Sequence, residues 1–194
     1  MAALQRRGAK DSFGSLKFLA AIRPDEWLAL VHAHGTPSGS SLTPGEYAAA
    51  LASNVERLLP TPSLAAHLAK GSLAQIPALK SVARFLWDHP GFDIVTANLN
   101  ATTRLADARS GPAPATLIAA LRSLQRLNEL GANWEETAAL LQAGYDSPAA
   151  IFAADLTELT TRLAGRIKPE ERVLTLHARA KALQRVNSTS RRRS

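Results

Sequence analysis

Five histidines, three acidic pairs and a set of basic residues are the groups of this sequence that could do chemistry. His32 and His34 resemble half of a metal site, but residues two apart on a helix project to different sides. His67, His89 and His177 supply no third ligand at a usable spacing. Asp25-Glu26, Glu135-Glu136 and Glu170-Glu171 could serve general acid–base catalysis. Each pair also falls in the expected first turn of a helix, where carboxylates complement the dipole, and that placement explains them. There is no nucleophile elbow, no phosphate-cradling glycine loop and no His-Glu-x-x-His helix. Without cysteine, thiolate chemistry, disulfides and Cys-ligated zinc are excluded. The reading is a chain that is not an enzyme and carries no metal or cofactor, although a site assembled from distant residues stays open.

Binding residues are easier to nominate. Leu140 to Ile151 reads as helix, tight turn and helix around Gly144-Tyr145-Asp146, superficially like the hairpins that grip nucleic-acid phosphates. Those hairpins use two glycines, and here Asp146 would repel the phosphate, so Gly144 and Asp146 are read as a structural turn. Arg191, Arg192 and Arg193, with Arg179, Lys181 and Arg185 upstream, could follow a phosphate backbone or an anionic lipid surface. No aromatic residues interleave with them for base stacking, and a solubilising tail is the alternative. Trp27, Trp87 and Trp134 lie among leucines and are expected to anchor the core or a helix interface, with Phe85, Trp87 and Phe92 as one shared anchor. Were Trp87 exposed instead, it would become a docking candidate.

The elements that must position these groups are helices. Pro24-Asp25-Glu26 opens a helix that stops at Gly35, after a short one over residues 12–21. Thr43-Pro44-Gly45-Glu46 has the capping-box pattern and predicts a helix to Leu59, with Tyr47, Ala50, Leu51, Val55, Leu58 and Leu59 on one stripe. Pro60-Thr61-Pro62-Ser63 reads as a break with a restart at Leu64, and Pro77 opens a helix ending before Pro90. Residues 94–105 read as a weaker helix. Beyond Ser110-Gly111-Pro112, a helix through Leu117, Leu121, Leu124 and Leu127 sets Arg122, Gln125, Arg126 and Glu129 on its wet side. Helices at 134–142, after Pro148, after Asp155 and after Pro169 complete the set. In the last of these, Val173, Leu176, Ala180 and Leu183 could line the chain's own core or a partner helix.

Composition agrees. Only 5% of residues are aromatic, while alanine and leucine dominate the 46% hydrophobic share, which favours helix over sheet. The expected fold is all-α, an orthogonal bundle of about nine to eleven short helices in two subdomains. The boundaries are a flexible N-terminus at 1–11, subdomains at 12–109 and 115–187, a linker at 110–114 and a disordered basic tail at 188–194. The net charge of +7 is uneven: residues 165–194 hold nine Lys/Arg against two Asp/Glu, while residues 21–164 hold ten against thirteen. The excess sits at the ends and not on a folded face, which lowers the nucleic-acid reading. No signal peptide or membrane-spanning run is expected.

Several stretches carry a family resemblance: Tyr47-Ala48-Ala49-Ala50-Leu51, Val55-Glu56-Arg57-Leu58-Leu59-Pro60-Thr61, Phe85 to Ile94, Leu121 to Leu127, Ala143-Gly144-Tyr145-Asp146-Ser147 and Ala178-Arg179-Ala180. Together they resemble the α-helical shell region of the A component of Tc toxin complexes. The similarity spans most of residues 12–187 and rests on packing and turn patterns. It implies a structural part in a toxin or injection assembly, with a larger protein or further copies of the chain as partners. It implies no catalytic residues, and a setting in the bacterial cytoplasm or release with the assembly. A chain of 194 residues lacks room for the channel-forming helices and receptor-binding modules of the family. A small basic DNA-binding protein is the competing expectation.

Overall fold

Proline occupies the first position of six helices, where its missing N–H would be unpaired in any residue and its fixed φ already suits a helix. The computed structural model describes residues 16–69, 76–99 and 114–191. They form one 3-10 helix, Leu16–Ala21, and nine α-helices, with no strand among the described residues. These are α1 (Pro24–His34), α2 (Pro44–Leu58), α3 (Pro60–Ala69), α4 (Pro77–Asp88), α5 (Pro114–Glu129), α6 (Trp134–Gln142), α7 (Pro148–Ala153), α8 (Leu156–Leu163) and α9 (Glu171–Arg191). The fold is all-α, and no described helix is long and apolar enough to cross a membrane.

The chain divides into two compact units, residues 1–66 and 67–194. In the first, α2 packs against α1 and the 3-10 helix. Its start is the expected capping box: Thr43 N and Oγ1 donate to Glu46 Oε2 at 2.7 and 2.8 Å, and Glu46 N donates back to Thr43 Oγ1 at 3.3 Å. Tyr47, Ala50, Leu51 and Val55 are half-buried around buried Ala48, but Leu58, at the helix end, is exposed. The expected break at Pro60-Thr61-Pro62 is instead the first turn of α3, since both prolines fall where a helix needs no N–H from them.

In the second unit α5 packs on α4 and α6, and α9 packs on α7 and α8. One core joins Leu127, Leu130, Leu140, Ile151, Leu159, Leu163, Ile167, Val173, Leu176 and Ala180, with Leu183 packed against it. Val173, Leu176, Ala180 and Leu183 therefore line the chain's own core. Residues 94–99 are turns, not the start of a helix. Asp93 accepts from Val95 N at 3.0 Å and Thr96 Oγ1 at 2.9 Å, closing the chain locally. The carbonyls so exposed turn to α5: Gln125 Nε2 donates to Ile94 O at 2.8 Å and Ala97 O at 3.1 Å, and Arg122 Nη2 to Leu99 O at 3.1 Å. Arg122 and Gln125, expected on a wet face, are half-buried ties to this segment.

The units divide at 66/67, within α3, while α4 and α5, which flank the 110–114 segment, pack on each other. Residues 1–11 and 110–113 lie outside the described residues. The expected tail at 188–194 is helical through Arg191, because α9 continues without interruption; residues 192–194 lie outside the described set.

Candidate functional site

Ordinary residues build the turn between α5 and α6. At Gly131, with φ +74°, a Schellman closure sends Ala132 N to Leu127 O and Gly131 N to Asn128 O. Asn133 then caps α6: its side chain accepts from Glu136 N at 2.8 Å, and Glu136 Oε2 accepts from Asn133 N at 2.8 Å. Arg172, on α9, reaches this turn. Its Nε donates to Glu136 Oε1 at 2.6 Å, and its Nη2 donates to Glu136 Oε2 at 3.0 Å and to Gly131 O at 2.7 Å. The hydrogen bond to Glu136 raises the Arg172 pKa above its already high ordinary value, and burial opposes the rise. One turn pair further along α9, Arg179 Nη1 donates to Leu130 O at 3.4 Å. Both cations complement the negative end of α5.

This geometry reassigns one candidate. Arg179 is directed at the end of α5, and its guanidinium occupies the space a Cβ at residue 131 would need. Lys181 and Arg185 lie exposed on α9, and Arg191 is the final residue of that helix. Arg192 and Arg193 lie outside the described residues. Among the described side chains, Arg179 is turned to the end of α5 while Lys181 and Arg185 are exposed along α9. Gly144, with φ +88°, ends α6 as a second Schellman turn, Tyr145 N donating to Leu140 O at 2.8 Å and Gly144 N to Leu141 O at 3.1 Å. These N–H groups serve the helix end. Tyr145 is buried, and Asp146 is exposed and accepts from Ser147 Oγ at 3.1 Å.

The three tryptophans separate. Trp134 is buried, Trp27 is half-buried and Trp87 is 86% exposed. The shared anchor at the end of α4 is Phe85 with His89 and Phe92. Its rings stack at 4.4 Å on His89 and meet Phe92 edge-on at 5.0 Å. Trp87 is excluded by helix geometry: Leu79, Val82, Phe85 and Leu86 share the buried face, and at roughly 100° per residue Trp87 falls about 130° from the middle of it.

A cleft of about 290 Å³ runs along one side of α6, at the small end of the range for small-molecule sites. Trp134, Glu135, Ala138 and Ala139 line it from α6, together with His67. Arg166 and Gln142 also line it, and Arg166 Nη1 donates to Gln142 Oε1 at 3.4 Å. No group of three His, Cys, Asp or Glu able to hold a metal occurs among the described residues, and His32 and His34 are both exposed at the end of α1. The Arg172–Glu136 pair escaped sequence reading because its partners are 36 residues apart; the capping-box spacing of Asn133 and Glu136 was its one local trace. Set against known families, curated proteins and solved structures, the chain matches none.

Proposed function

We propose that this chain is a non-catalytic helical interaction module that docks onto a larger protein, as one part of a toxin or injection assembly. Exposed Trp87 carries the reading. A tryptophan 86% exposed on a helix whose other apolar face is satisfied has no part in folding α4, while a large amphipathic ring is the commonest energetic centre of a protein interface. The resemblance of Tyr47–Leu51, Phe85–Ile94 and Ala143–Ser147 to the Tc toxin A-component shell supports the assembly. The bonding of Arg179 Nη1 to Leu130 O and of the Gly144 and Tyr145 N–H groups to carbonyls of α6 engages these donors and weighs against the DNA-binding alternative at these positions.

The test is affinity capture from the native source with the tagged chain and with Trp87→Ala, washed at low and at high salt. The expected result is a protein partner that survives high salt with the parent chain and is lost with W87A. Equal capture by both chains would remove Trp87 from the interface. Nucleic acid released by salt from both would favour the DNA-binding reading, since phosphate contacts weaken steeply as salt rises.

A further inference from the structure

Helix α9 has two apolar faces. Val173, Leu176 and Ala180 are buried in the core of the second unit, whereas Leu174, Ala178, Ala182 and Val186 are exposed, Leu174 at 47% and Val186 at 63%. The exposed four recur at every fourth residue, so they form a single i±4 ridge about 18 Å long. Bulky residues stand at the two ends of this ridge and alanines at its centre. Its charge is polarised: Glu170 and Glu171 lie exposed at the start, Lys181 and Arg185 toward the end.

We propose that this ridge is the contact between two copies of the chain, with their α9 helices antiparallel. A two-fold axis level with Ala180 sets Leu174 opposite Val186 and Ala178 opposite Ala182, so the large ends meet and the small centre lets the helices approach closely. The same register brings the acidic start of each helix to the basic end of the other and opposes their dipoles favourably. A parallel pair would set like charges together at every level. The register sets Lys181 level with Arg179 of the other copy; Arg179 is turned to the end of α5 in its own chain, and the long stem of Lys181 carries its ammonium out to solvent. A contact one helix wide is small beside the roughly 1,200–2,000 Å² of stable complexes, so the pairing is a reversible one. It rests on α9 alone and stands or falls independently of Trp87.

The natural absence of cysteine makes the register directly testable. Ala178→Cys and Ala182→Cys are introduced separately in the full chain and oxidised mildly at about 0.15 M salt, where charges beyond roughly 8 Å are screened. An equimolar mixture is expected to give several-fold more covalent dimer than either variant alone, because only the mixture apposes the two sulfurs. Sedimentation of the parent chain should show a concentration-dependent dimer that Val186→Asp abolishes, with helicity unchanged by circular dichroism. Equal or greater cross-linking of the single variants would overturn the antiparallel register. A monomer up to about 1 mM, the weak end of specific association, would overturn the pairing itself.

Discussion

Arg172 holds Glu136 with two hydrogen bonds, 2.6 and 3.0 Å long, while a third, 2.7 Å, reaches the carbonyl of Gly131. One guanidinium thereby joins α9 to both sides of the α5–α6 turn. Glu136 is the less exposed partner, its side chain 8% accessible against 25% for Arg172. Removing the arginine strands a buried carboxylate, and Arg172→Ala should lower stability by about 3 kcal/mol in denaturant titration. Arg172→Lys should recover only part of this, because a single ammonium cannot reproduce the planar fork.

Gly131 and Gly144 both adopt positive φ, but only Gly131 faces an obstacle: a side chain there meets Arg179, while Gly144 opens onto free space. Gly144→Ala should cost about 1 kcal/mol for the left-handed backbone. Gly131→Ala should cost more, by the displaced Arg179 contact. The excess should vanish when both glycine variants are compared in an Arg179→Ala background, a double-mutant cycle read by thermal or chemical unfolding.

Trp87→Ala should leave stability within about 0.5 kcal/mol of the parent, as surface substitutions do. Phe85→Ala should cost about 3–4 kcal/mol, since it opens a cavity beside His89 and Phe92. Equal losses in the two variants would mean that the indole is buried in solution.

Thr137 Oγ1 is buried and has no hydrogen-bond partner among the described residues. Replacing an unpaired hydroxyl by a methyl of the same shape removes a desolvation penalty. Thr137→Val should therefore be neutral or raise stability by up to about 1 kcal/mol in urea unfolding.

The backbone N–H and hydroxyl of Thr43 hold the Glu46 carboxyl below the usual carboxylate range. A carboxyl whose folded pKa is depressed binds fewer protons in the folded state, so its contribution is complete above the unfolded pKa and is lost as pH falls through the folded one. An NMR titration should place the Glu46 midpoint below that of a free glutamate, and Thr43→Ala should raise it only part of the way, because the backbone N–H of residue 43, the larger cause, remains.

Local signals were legible where bonding is local. Thr43-x-x-Glu46 and the helix starts at Pro24, Pro44, Pro77 and Pro148 are decided within one turn, so spacing alone predicts them. The leucine stripe of α5 likewise declares its buried side. What failed depends on the rest of the chain. Gln125 and Arg122 resemble solvent-facing residues until the carbonyls of residues 94–99 arrive 23 to 31 positions away in sequence. Trp87 resembles a core residue by type, and only its angle to the buried face of α4 puts it outside. Pro60 and Pro62 resemble a break because helix starts and helix stops use the same residue. The sequence names Trp87 and the basic positions of α9 as candidates, while their exposure and their partners depend on the fold.

The dependence of the α5–α6 turn on Arg172 and Arg179 also orders events in time. A ribosome delivers residues 114–167 before α9, and until α9 follows, Leu127, Leu140, Ile151 and Leu163 lack the Val173, Leu176 and Ala180 that close their core. During that interval this part of the nascent chain exposes leucine and isoleucine to other nascent chains and to chaperones. Stalled or prematurely terminated synthesis before residue 172 should therefore yield aggregating products, whereas a stop beyond Leu183 should release a closed fold.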